Sequence, residues 1–487
     1  MRYANFIGGS FPTQSPVWSG ERTINWYVEA AETGGAKAPS ALLPVPGVTT
    51  FATHATQSPV RALWAQNDRC FAIIGTACVE VSSDGTLTHR GTVAVDVGTD
   101  PATITSNGDG GGQLLITSGG RLYTMRLNGN FWKCANDWHT WESPFVMGAM
   151  LDGYFLALDQ TSTVWVSSLL DGETWDALGF VQRSLGPDRW VAMAVVGRDL
   201  WLLGEATSEV WYNAGTTTFP FAPHPSGLIS TGCAAKWSLA TAGDTLCWLA
   251  STREGTCQVV RASGLSVTPI SPKALDYTLG TYSVISDAVG WTYQQAGHTF
   301  YVLTFPTANA TWAYDLTTGV WCERGTWVSG TASYEAWRPQ YHAFAFGTHL
   351  VGDRNAGTIY ELSLTADTDA GGAEIRRVRR APVLSNEAKR LFFHRFTLDL
   401  EAGLGVAGGD GADPQILLRY SNDGGKTWAE AGAASIDSGA QGQYQTRAIW
   451  RRLGSSRNRV FELVASDPAP YKICDAYLAL TPSDETP

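Results

Sequence analysis

Short apolar segments recur along the chain at steps of 44, 40, 46, 46, 54 and 43 residues. They are CFAIIG from Cys70, LLITS from Leu114, YFLALD from Tyr154, LWLLGE from Leu200, LCWLAS from Leu246, FYVLTF from Phe300 and AFAFG from Ala343. Periods in the forties are typical of the blades of a β-propeller. The pattern therefore predicts seven candidate blades between Pro59 and about Leu362.

A second apolar segment with an aromatic or branched centre follows most of these segments, as in TVWVSS from Thr163. Polar turns such as Gly197–Asp199 separate several of them from an upstream apolar run, which predicts tight hairpins. A blade of three or four strands cannot bury both faces alone, so blades must stack around an axis. A large β-sandwich with accidental spacing is the alternative, and the regular steps disfavour it.

Composition supports the same fold class. Charged residues make up only 16% of the 487 residues, whereas Gly (52) and Trp (20) are abundant, a mixture that suits strands and turns rather than helical bundles. We therefore expect an all-β chain with a propeller of six or seven blades. The number stays open because the first or last repeat could belong to a flanking domain.

Two regions lie outside the repeat. Residues 1–58 are rich in Gly, Pro and Ser and predict an extended N-terminal arm. Residues 363–487 begin with a polar linker and continue as a second β region, in which HRFTLDL alternates as a strand with one wet face does. We expect the arm to pack on this region, so that both chain ends build a β-sandwich-like platform beside the propeller at 59–362.

Targeting segments and cofactor motifs are not apparent in the sequence. It has no apolar run of about 18 residues and no signal-peptide pattern at its start, so we expect a soluble protein made in a cytoplasm, without a membrane anchor. The eight cysteines are scattered, and neither a Cys-x-x-Cys pair nor a His-Glu-x-x-His motif is present. We expect buried free thiols, and no metal or cofactor.

One segment matches the Asp-box pattern Ser-x-Asp-x-Gly-x-Thr-Trp, with the residues Ser421, Asp423, Gly425, Thr427 and Trp428. The serine and aspartate can bond backbone amides of a hairpin turn, the glycine supplies a special conformation, and the tryptophan is expected to plug the turn as a buried side chain. A looser copy, LLDGETW, ends in Trp175 and lacks the serine spacing.

Asp-boxes are common in glycan-active propellers, but such proteins usually carry several. A glycan-binding or glycan-hydrolysing propeller is therefore the alternative class of function. The sequence contains neither a Gly-x-Ser-x-Gly elbow nor a phosphate-binding Gly-Lys-Ser/Thr loop, and most Asp and Glu residues lie in predicted turns. These features favour a protein that is not an enzyme.

Basic residues are concentrated near the end of the chain. Residues 1–370 carry 19 basic and 31 acidic groups, a balance of −12, whereas residues 371–487 carry 15 and 14, a balance of +1. Two roles are open for the arginine clusters: they face the phosphates of DNA without reading its sequence, or they pair with neighbouring subunits. The clustered arginines are Arg376, Arg377, Arg379, Arg380, Arg447, Arg451, Arg452, Arg457 and Arg459, with Lys389, Arg390 and Arg395 between the groups.

Both ends of the chain resemble a known family. The segments are NFIGGS from Asn5, SGERTINWYVE from Ser19, LPVPGV from Leu43, YSNDGGKTW from Tyr420, GQYQTR from Gly442, WRRLG from Trp450 and RVFEL from Arg459. They resemble the packaged-DNA stabilisation proteins of short-tailed bacteriophages, over about 50 residues at the front and 90 at the back. The middle of the chain matches mainly in pattern.

This resemblance implies a tail hub or nozzle in the phage virion, assembled in the cytoplasm of the host bacterium. Such a protein is a homohexameric tube below the portal and adaptor rings, with a propeller-like domain and a platform built from the chain ends. It closes the channel, stabilises packaged DNA and lets the DNA pass at ejection. Implied partners are the adaptor or head-to-tail connector, tail fibres or tailspikes, and in some members a needle or plug. The resemblance brings no catalytic residue.

Overall fold

A computed structural model describes residues 1–96, 100–133, 144–183, 185–251, 257–403, 405, 411–435 and 447–483. Strands dominate this part of the chain, which confirms the all-β class. The helical segments in it are short: the α-helices Gly108–Gly111 and Lys273–Gly280, and the 3-10 turns Lys236–Ser238 and Ala370–Gly372. Pro272 precedes the longer helix, which buries Leu275 and Leu279 against the propeller.

Seven antiparallel sheets of the described chain form the blades of a propeller, the higher of the two predicted numbers. Blade 1 contains Val60–Gln66, Arg69–Ile74, Ala77–Val81 and Leu87–Thr92, blade 2 contains Thr103–Ser106, Gln113–Ser118, Arg121–Arg126 and Phe131–Lys133, and blade 3 contains Phe145–Leu151, Tyr154–Asp159, Thr163–Ser168 and Asp171–Gln182. Blade 4 contains Trp190–Val196, Asp199–Gly204, Ser208–Asn213 and Phe221–Ile229, and blade 5 contains Gly232–Cys233, Ala240–Ala242, Thr245–Ser251, Cys257–Ser263 and Ser266–Pro269. Blade 6 contains Val289–Gln295, His298–Phe305, Ala310–Asp315 and Val320–Arg324, and blade 7 contains Pro339–Ala345, Thr348–Asp353, Thr358–Ser363 and Gly47–Thr53.

The first six apolar segments found in the sequence are the second strands of blades 1 to 6, where they are buried on both faces by the neighbouring blades. In blade 5 the first position is shared by Gly232–Cys233 and Ala240–Ala242, which both pair with Thr245–Ser251. The seventh segment is an exception, because Ala343 lies in the first strand of blade 7. The second strand of that blade, Thr348–Asp353, contains His349 and Gly352 and is too polar to stand out in the pattern.

An N-terminal strand closes the ring. Gly47–Thr53 is the outermost strand of blade 7 and pairs with Thr358–Ser363, with Thr50 opposite Tyr360. The predicted division at residue 58 assigned this strand to the arm, and the structure corrects that assignment. The strand's partner lies at the far end of the propeller sequence, so no local pattern could reveal the pairing.

The two chain ends together build a sandwich of two sheets. The first sandwich sheet contains Gly20–Ile24, Arg377–Arg380, Asn458–Ala465, Gln415–Ser421 and Ala429–Ser435, with Phe11–Pro12 and Leu384–Ser385 at its margins. The second sandwich sheet contains Trp26–Ala30, Ser40–Pro44, Ile473–Pro482, Leu391–Leu400 and Ala448–Arg451, with Ser455–Ser456 beside it. Two hairpins link propeller and sandwich, Thr326–Val328 with Ser333–Glu335 and Thr368–Asp369 with Ala373–Glu374.

Aromatic side chains from both chain ends fill the space between these sheets. Trp26 from the arm is fully buried there with Phe396 and Phe461 from the C-terminal strands, and Tyr3 and Phe6 pack into the same cluster. The ring of Tyr3 lies edge-on at 6.4 Å from the rings of both Phe396 and Phe461. The predicted platform built from the two chain ends is therefore confirmed.

Asn25 is the point at which the arm crosses from one sheet to the other. Its φ of 57° is a left-handed conformation, which asparagine tolerates better than most residues. Its side-chain amide donates to the backbone carbonyls of Gly325 at 2.8 Å and Arg376 at 2.9 Å. Just before it, Ile24 pairs in parallel with Glu323 of blade 6, so the first sandwich sheet continues a propeller blade.

Candidate functional site

Arg379 is fully buried in the first sandwich sheet and binds the N-terminal arm. Its guanidinium donates to the carbonyl oxygens of Phe6 at 2.6 Å, Gly9 at 2.9 Å and Asn5 at 3.2 Å. It also donates to Thr23 Oγ1 and to Glu21 Oε2, both at 3.0 Å. One side chain thus satisfies five acceptors of the arm and holds it against the C-terminal strands.

Two further arginines of the clusters are buried. Arg377 lies 3.6 Å from Asp367 and below the ring of Tyr471, and burial lowers the pKa of Arg377 to about 10. Arg459 lies between the rings of Tyr420 and Phe393, at 4.3 and 4.4 Å.

The prediction that Arg377, Arg379 and Arg459 face DNA or a neighbouring subunit is therefore wrong. Successive side chains of a strand point to opposite faces, so a run of arginines in the sequence does not form one surface. Strand Arg377–Arg380 directs Arg377 and Arg379 into the domain, while on its other face Val378 packs in a small apolar cluster and Arg380 is partly exposed.

Arg380 belongs to a charge network across the first sandwich sheet. The buried carboxylate of Glu462 accepts from Arg380 Nε at 2.7 Å and from Arg419 Nε at 2.6 Å. Arg376, just before the strand that contains Arg380, lies 4.3 Å from the ring of Trp327. Both residues thus have partners inside the chain. Neither Arg419 nor Glu462 was singled out from the sequence, since their pairing depends on strands far apart in the chain.

The Asp-box forms the predicted turn. Ser421 Oγ accepts from the amide of Gly425 at 2.8 Å, and Asp423 accepts from the amide of Thr427 at 2.9 Å and from its hydroxyl at 2.6 Å. Hydrogen bonds from Ser421 and Thr427 hold the pKa of Asp423 well below its usual range. Gly425 has a φ of 95°, a region that favours glycine. The carboxylate is thus occupied in shaping the turn.

Trp428 differs from its prediction because it is half-buried rather than a buried plug. Its indole donates to the Gly425 carbonyl at 3.1 Å, and its ring packs against the guanidinium groups of Arg380 and Arg419 at 4.8 and 5.2 Å. The buried version occurs in blade 3, where the indole of Trp175 donates to its own turn at 2.9 Å. The looser Asp-box copy therefore has a buried tryptophan, Trp175, whereas the closer match has the half-buried Trp428.

Replacing Trp428 with alanine is expected to lower the free energy of unfolding by about 1–2 kcal/mol, because two exposed or half-buried cation–π contacts are lost without a core cavity. Urea unfolding of the purified chain measures this change. The exposed Trp18 provides a matched control, whose replacement by alanine should change stability by less than about 0.5 kcal/mol. A loss of 3 kcal/mol or more at Trp428 would restore the buried-plug interpretation.

Four arginines of the predicted set remain at the surface: Arg447, Arg451, Arg452 and Arg457. Within the described residues, none of them forms an ion pair. Arg447, Arg451 and Arg452 lie in or beside the strand Ala448–Arg451 of the second sandwich sheet, and Arg457 lies between Ser455–Ser456 and Asn458–Ala465. Residues 442–446 of the GQYQTR segment lie outside the described residues. The surface arginines are therefore the part of the set available to a partner.

A buried histidine connects the sandwich to the propeller. His298 of blade 6 contacts Asp315 through Nδ1 at 2.7 Å and Glu29 of the arm through Nε2 at 2.8 Å. The ring of Tyr27 lies edge-on at 4.9 Å. Burial by itself would lower the pKa of His298, but the hydrogen bonds and charges of Glu29 and Asp315 raise it above 6.5 overall. The sequence analysis missed this contact because its three members lie in separate regions of the chain.

The stability of the chain should consequently fall as the pH rises through neutrality. A histidine whose pKa is raised on folding contributes stability that is fully present below 6.5 and is lost as the pH passes its folded pKa. Urea unfolding at several pH values between 5.5 and 8.5 measures this trend. His298→Gln should remove the contribution of His298 to the change of the free energy of unfolding with pH. An unchanged slope in the variant would show that His298 is not protonated in the native chain.

Groups with catalytic chemistry are not prominent in the described part of the chain. Burial raises the pKa of the Cys70 and Cys233 thiols to about 12, so both are unreactive, and Cys134 lies outside the described residues. The described residues contain no group of three or more His, Cys, Asp or Glu side chains that could hold a metal ion. No described helix is long and apolar enough to cross a membrane.

A propeller joined to a sandwich through a shared sheet, with an arginine-rich C-terminal domain, defines a two-domain all-β protein. Comparison with protein families gives the same two domains. The family described as "Bacteriophage P22 Gp10, beta-propeller" matches residues 6–367, and "Bacteriophage P22 Gp10, beta-sandwich" matches residues 376–480. The chain belongs to this family, and it is a bacteriophage tail protein of the hub and stabilisation type. The family resemblance stated from the sequence is confirmed.

Comparison with solved structures returns propellers of several kinds. A virginiamycin B lyase from Staphylococcus aureus has 10% identity, a TM-score of 0.45 and coverage of 65% of this chain and 98% of its own. The WD40 propeller domain of Doa1 has 11% identity, a TM-score of 0.40 and coverage of 65% and 97%. Similarities this weak carry no functional argument. No curated protein sequence matches the chain.

Proposed function

We propose that this phage tail protein is the subunit of a homohexameric nozzle below the portal and the adaptor. In this role it closes the DNA channel, stabilises the packaged genome, anchors tail fibres or tailspikes, and conducts DNA during ejection; a needle or plug protein is a further partner. The chain would assemble in the cytoplasm of the host bacterium and remain in the virion. Membership of the P22 Gp10 family is the observation that carries the proposal.

The construction of the subunit supports a mechanical role. The first sandwich sheet continues blade 6 through the pairing of Ile24 with Glu323, and Arg22 of the same strand binds Glu323 through Nε at 3.0 Å. Arg379 and the aromatic core fix the N-terminal arm between C-terminal strands. A subunit whose ends and propeller share hydrogen-bonded sheets can transmit load without separating its domains.

The charge distribution fits a conduit that does not read DNA sequence. Residues 1–370 have a balance of −12, and a wall of that sign repels a duplex and keeps it from adhering along its length. Arg452 and Arg457, at the surface beyond the strand Ala448–Arg451, would then make either a limited contact with phosphates or contacts between subunits. No base-reading element is required for either role.

Mass photometry and negative-stain imaging of the purified chain test the proposal. The expected result is a six-fold ring with no measurable hydrolysis of glycans. Molar salt separates the two roles of Arg452 and Arg457: a ring that persists while particles lose DNA places them against DNA, and a ring that dissociates places them between subunits. A stable monomer that hydrolyses glycans would overturn the nozzle and favour the alternative class.

A further inference from the structure

The outer face of the second sandwich sheet carries two arginines in direct opposition. Arg395 of strand Leu391–Leu400 is the register partner of Arg451 in strand Ala448–Arg451. Both side chains are exposed. Like charges placed directly opposite each other on neighbouring strands are destabilising unless another group compensates them. Within the described residues, neither arginine has a carboxylate partner.

A third unpaired arginine lies on the same face. Arg447 is exposed and stands four residues before Arg451, so the two side chains point the same way. With Arg395, Ile449 and Tyr477, Arg447 lines a groove of about 450 Å³, and this surface together with Arg451 is called the arginine groove below.

The carboxylates of this face are already neutralised. Asp399, which lines the groove, forms an ion pair with Lys37, and Asp475, its register partner, binds Arg2 at 2.6 Å. The face therefore has an excess of three positive charges from Arg395, Arg447 and Arg451. Because these three arginines repel one another, a negatively charged partner would stabilise this face.

We propose that the arginine groove binds an extended acidic polypeptide segment of another tail protein. The inference rests on the proposed function only in assuming that the chain is assembled with other virion proteins. Acidic side chains of the segment would neutralise the cross-strand pair of arginines, and its apolar side chains would cover the exposed Ile449 and Tyr477.

The spacing of the groove defines the segment. Arg447 and Arg451 are separated by four strand residues, or about 13 Å at 3.3 Å per residue. An extended segment repeats its side chains on one face every second residue, so carboxylates at positions i and i+4 match the two arginines. Ile449, exposed by 37%, stands between them and would contact the residue at position i+2.

Duplex DNA and a second copy of this chain fit the arginine groove less well. Phosphates would have to lie against Ile449, an apolar side chain that offers no hydrogen bond to replace those lost with water. A symmetric contact with another copy would set arginine against arginine.

Site-specific photocrosslinking in assembled tails tests the proposal. A photoreactive phenylalanine derivative replaces Ile449, and the crosslinked peptides are sequenced. The expected product is a peptide of a different tail protein with acidic residues at positions i and i+4. Arg395→Gln combined with Arg451→Gln should reduce its yield at least tenfold, whereas Arg457→Gln, an exposed arginine outside the groove, should leave the yield unchanged.

The melting temperature of the double variant controls for folding, and it should not fall, since a repulsive pair has been removed. Crosslinks to DNA, to a second copy of the chain or to a peptide without acidic residues would overturn the proposal, as would a yield that the double variant does not change. Ring formation by the purified chain is scored separately by mass photometry. A chain that forms no ring contradicts the proposed nozzle and leaves the crosslinking result to be judged independently.

Discussion

Arg379→Ala is expected to lower the free energy of unfolding by about 3–5 kcal/mol, the usual effect of removing one partner from a buried charged network. The variant leaves the carbonyl oxygens of Asn5, Phe6 and Gly9 without their donor and leaves Glu21 without its counter-charge. The arm would then detach from the C-terminal strands. Urea unfolding followed by circular dichroism measures the loss, and limited proteolysis of residues 1–20 reports the detachment.

Two variants serve as controls for this result. Arg379→Lys should recover only part of the stability, because an ammonium has three donors and no planar fork for five acceptors. Arg457→Ala removes an exposed arginine of the other cluster and should change stability by no more than about 0.5 kcal/mol. If Arg379→Ala unfolds like Arg457→Ala, the arm is held by its aromatic side chains alone.

Trp26→Ala is expected to cost about 3–5 kcal/mol, because it empties the centre of the sandwich core. The Trp26 side chain is 0% exposed, and its indole donates to the carbonyl of Tyr471 at 2.9 Å, which the variant leaves unpaired. Differential scanning calorimetry measures the effect. Since the sandwich shares a sheet with blade 6, a single transition at lower temperature should result.

Trp18→Ala is the matched control for Trp26, since it removes the same side chain from the same arm. Trp18 is 74% exposed, so its replacement should leave the melting temperature nearly unchanged. Equal effects of the two substitutions would contradict the sandwich core. A transition that splits in two after Trp26→Ala would show that the propeller unfolds independently of the sandwich.

The local pattern of apolar residues was sufficient to predict the propeller repeat. The second strands of blades 1 to 6 are buried on both faces, so they appear in the sequence as short uninterrupted apolar runs. Chain composition and the spacing of these runs then imply a propeller. The Asp-box was equally readable, because the side-chain hydrogen bonds of Ser421, Asp423 and Trp428 that shape the turn join residues within Ser421–Trp428.

The candidate site was predictable only as a set of residue types. The sequence identified a concentration of arginines, but buried Arg379 and exposed Arg451 look alike in it. The direction of each strand and the identity of its neighbouring strands decide which of these arginines is exposed to solvent. The partners of these arginines, such as Glu21 for Arg379 and Arg395 for Arg451, come from distant segments.

The sequence by itself determined the all-β class, the propeller repeat, the turn at the Asp-box and the family resemblance. Each of these features depends on local periodicity or on a contiguous motif. Only the tertiary structure decided the closure of blade 7 by Gly47–Thr53, the contact of His298 with Glu29 and the division of the arginines into buried and exposed groups. Those features arise from pairings between segments hundreds of residues apart, whose geometry is set by packing of the whole chain and leaves no periodic signal in either partner.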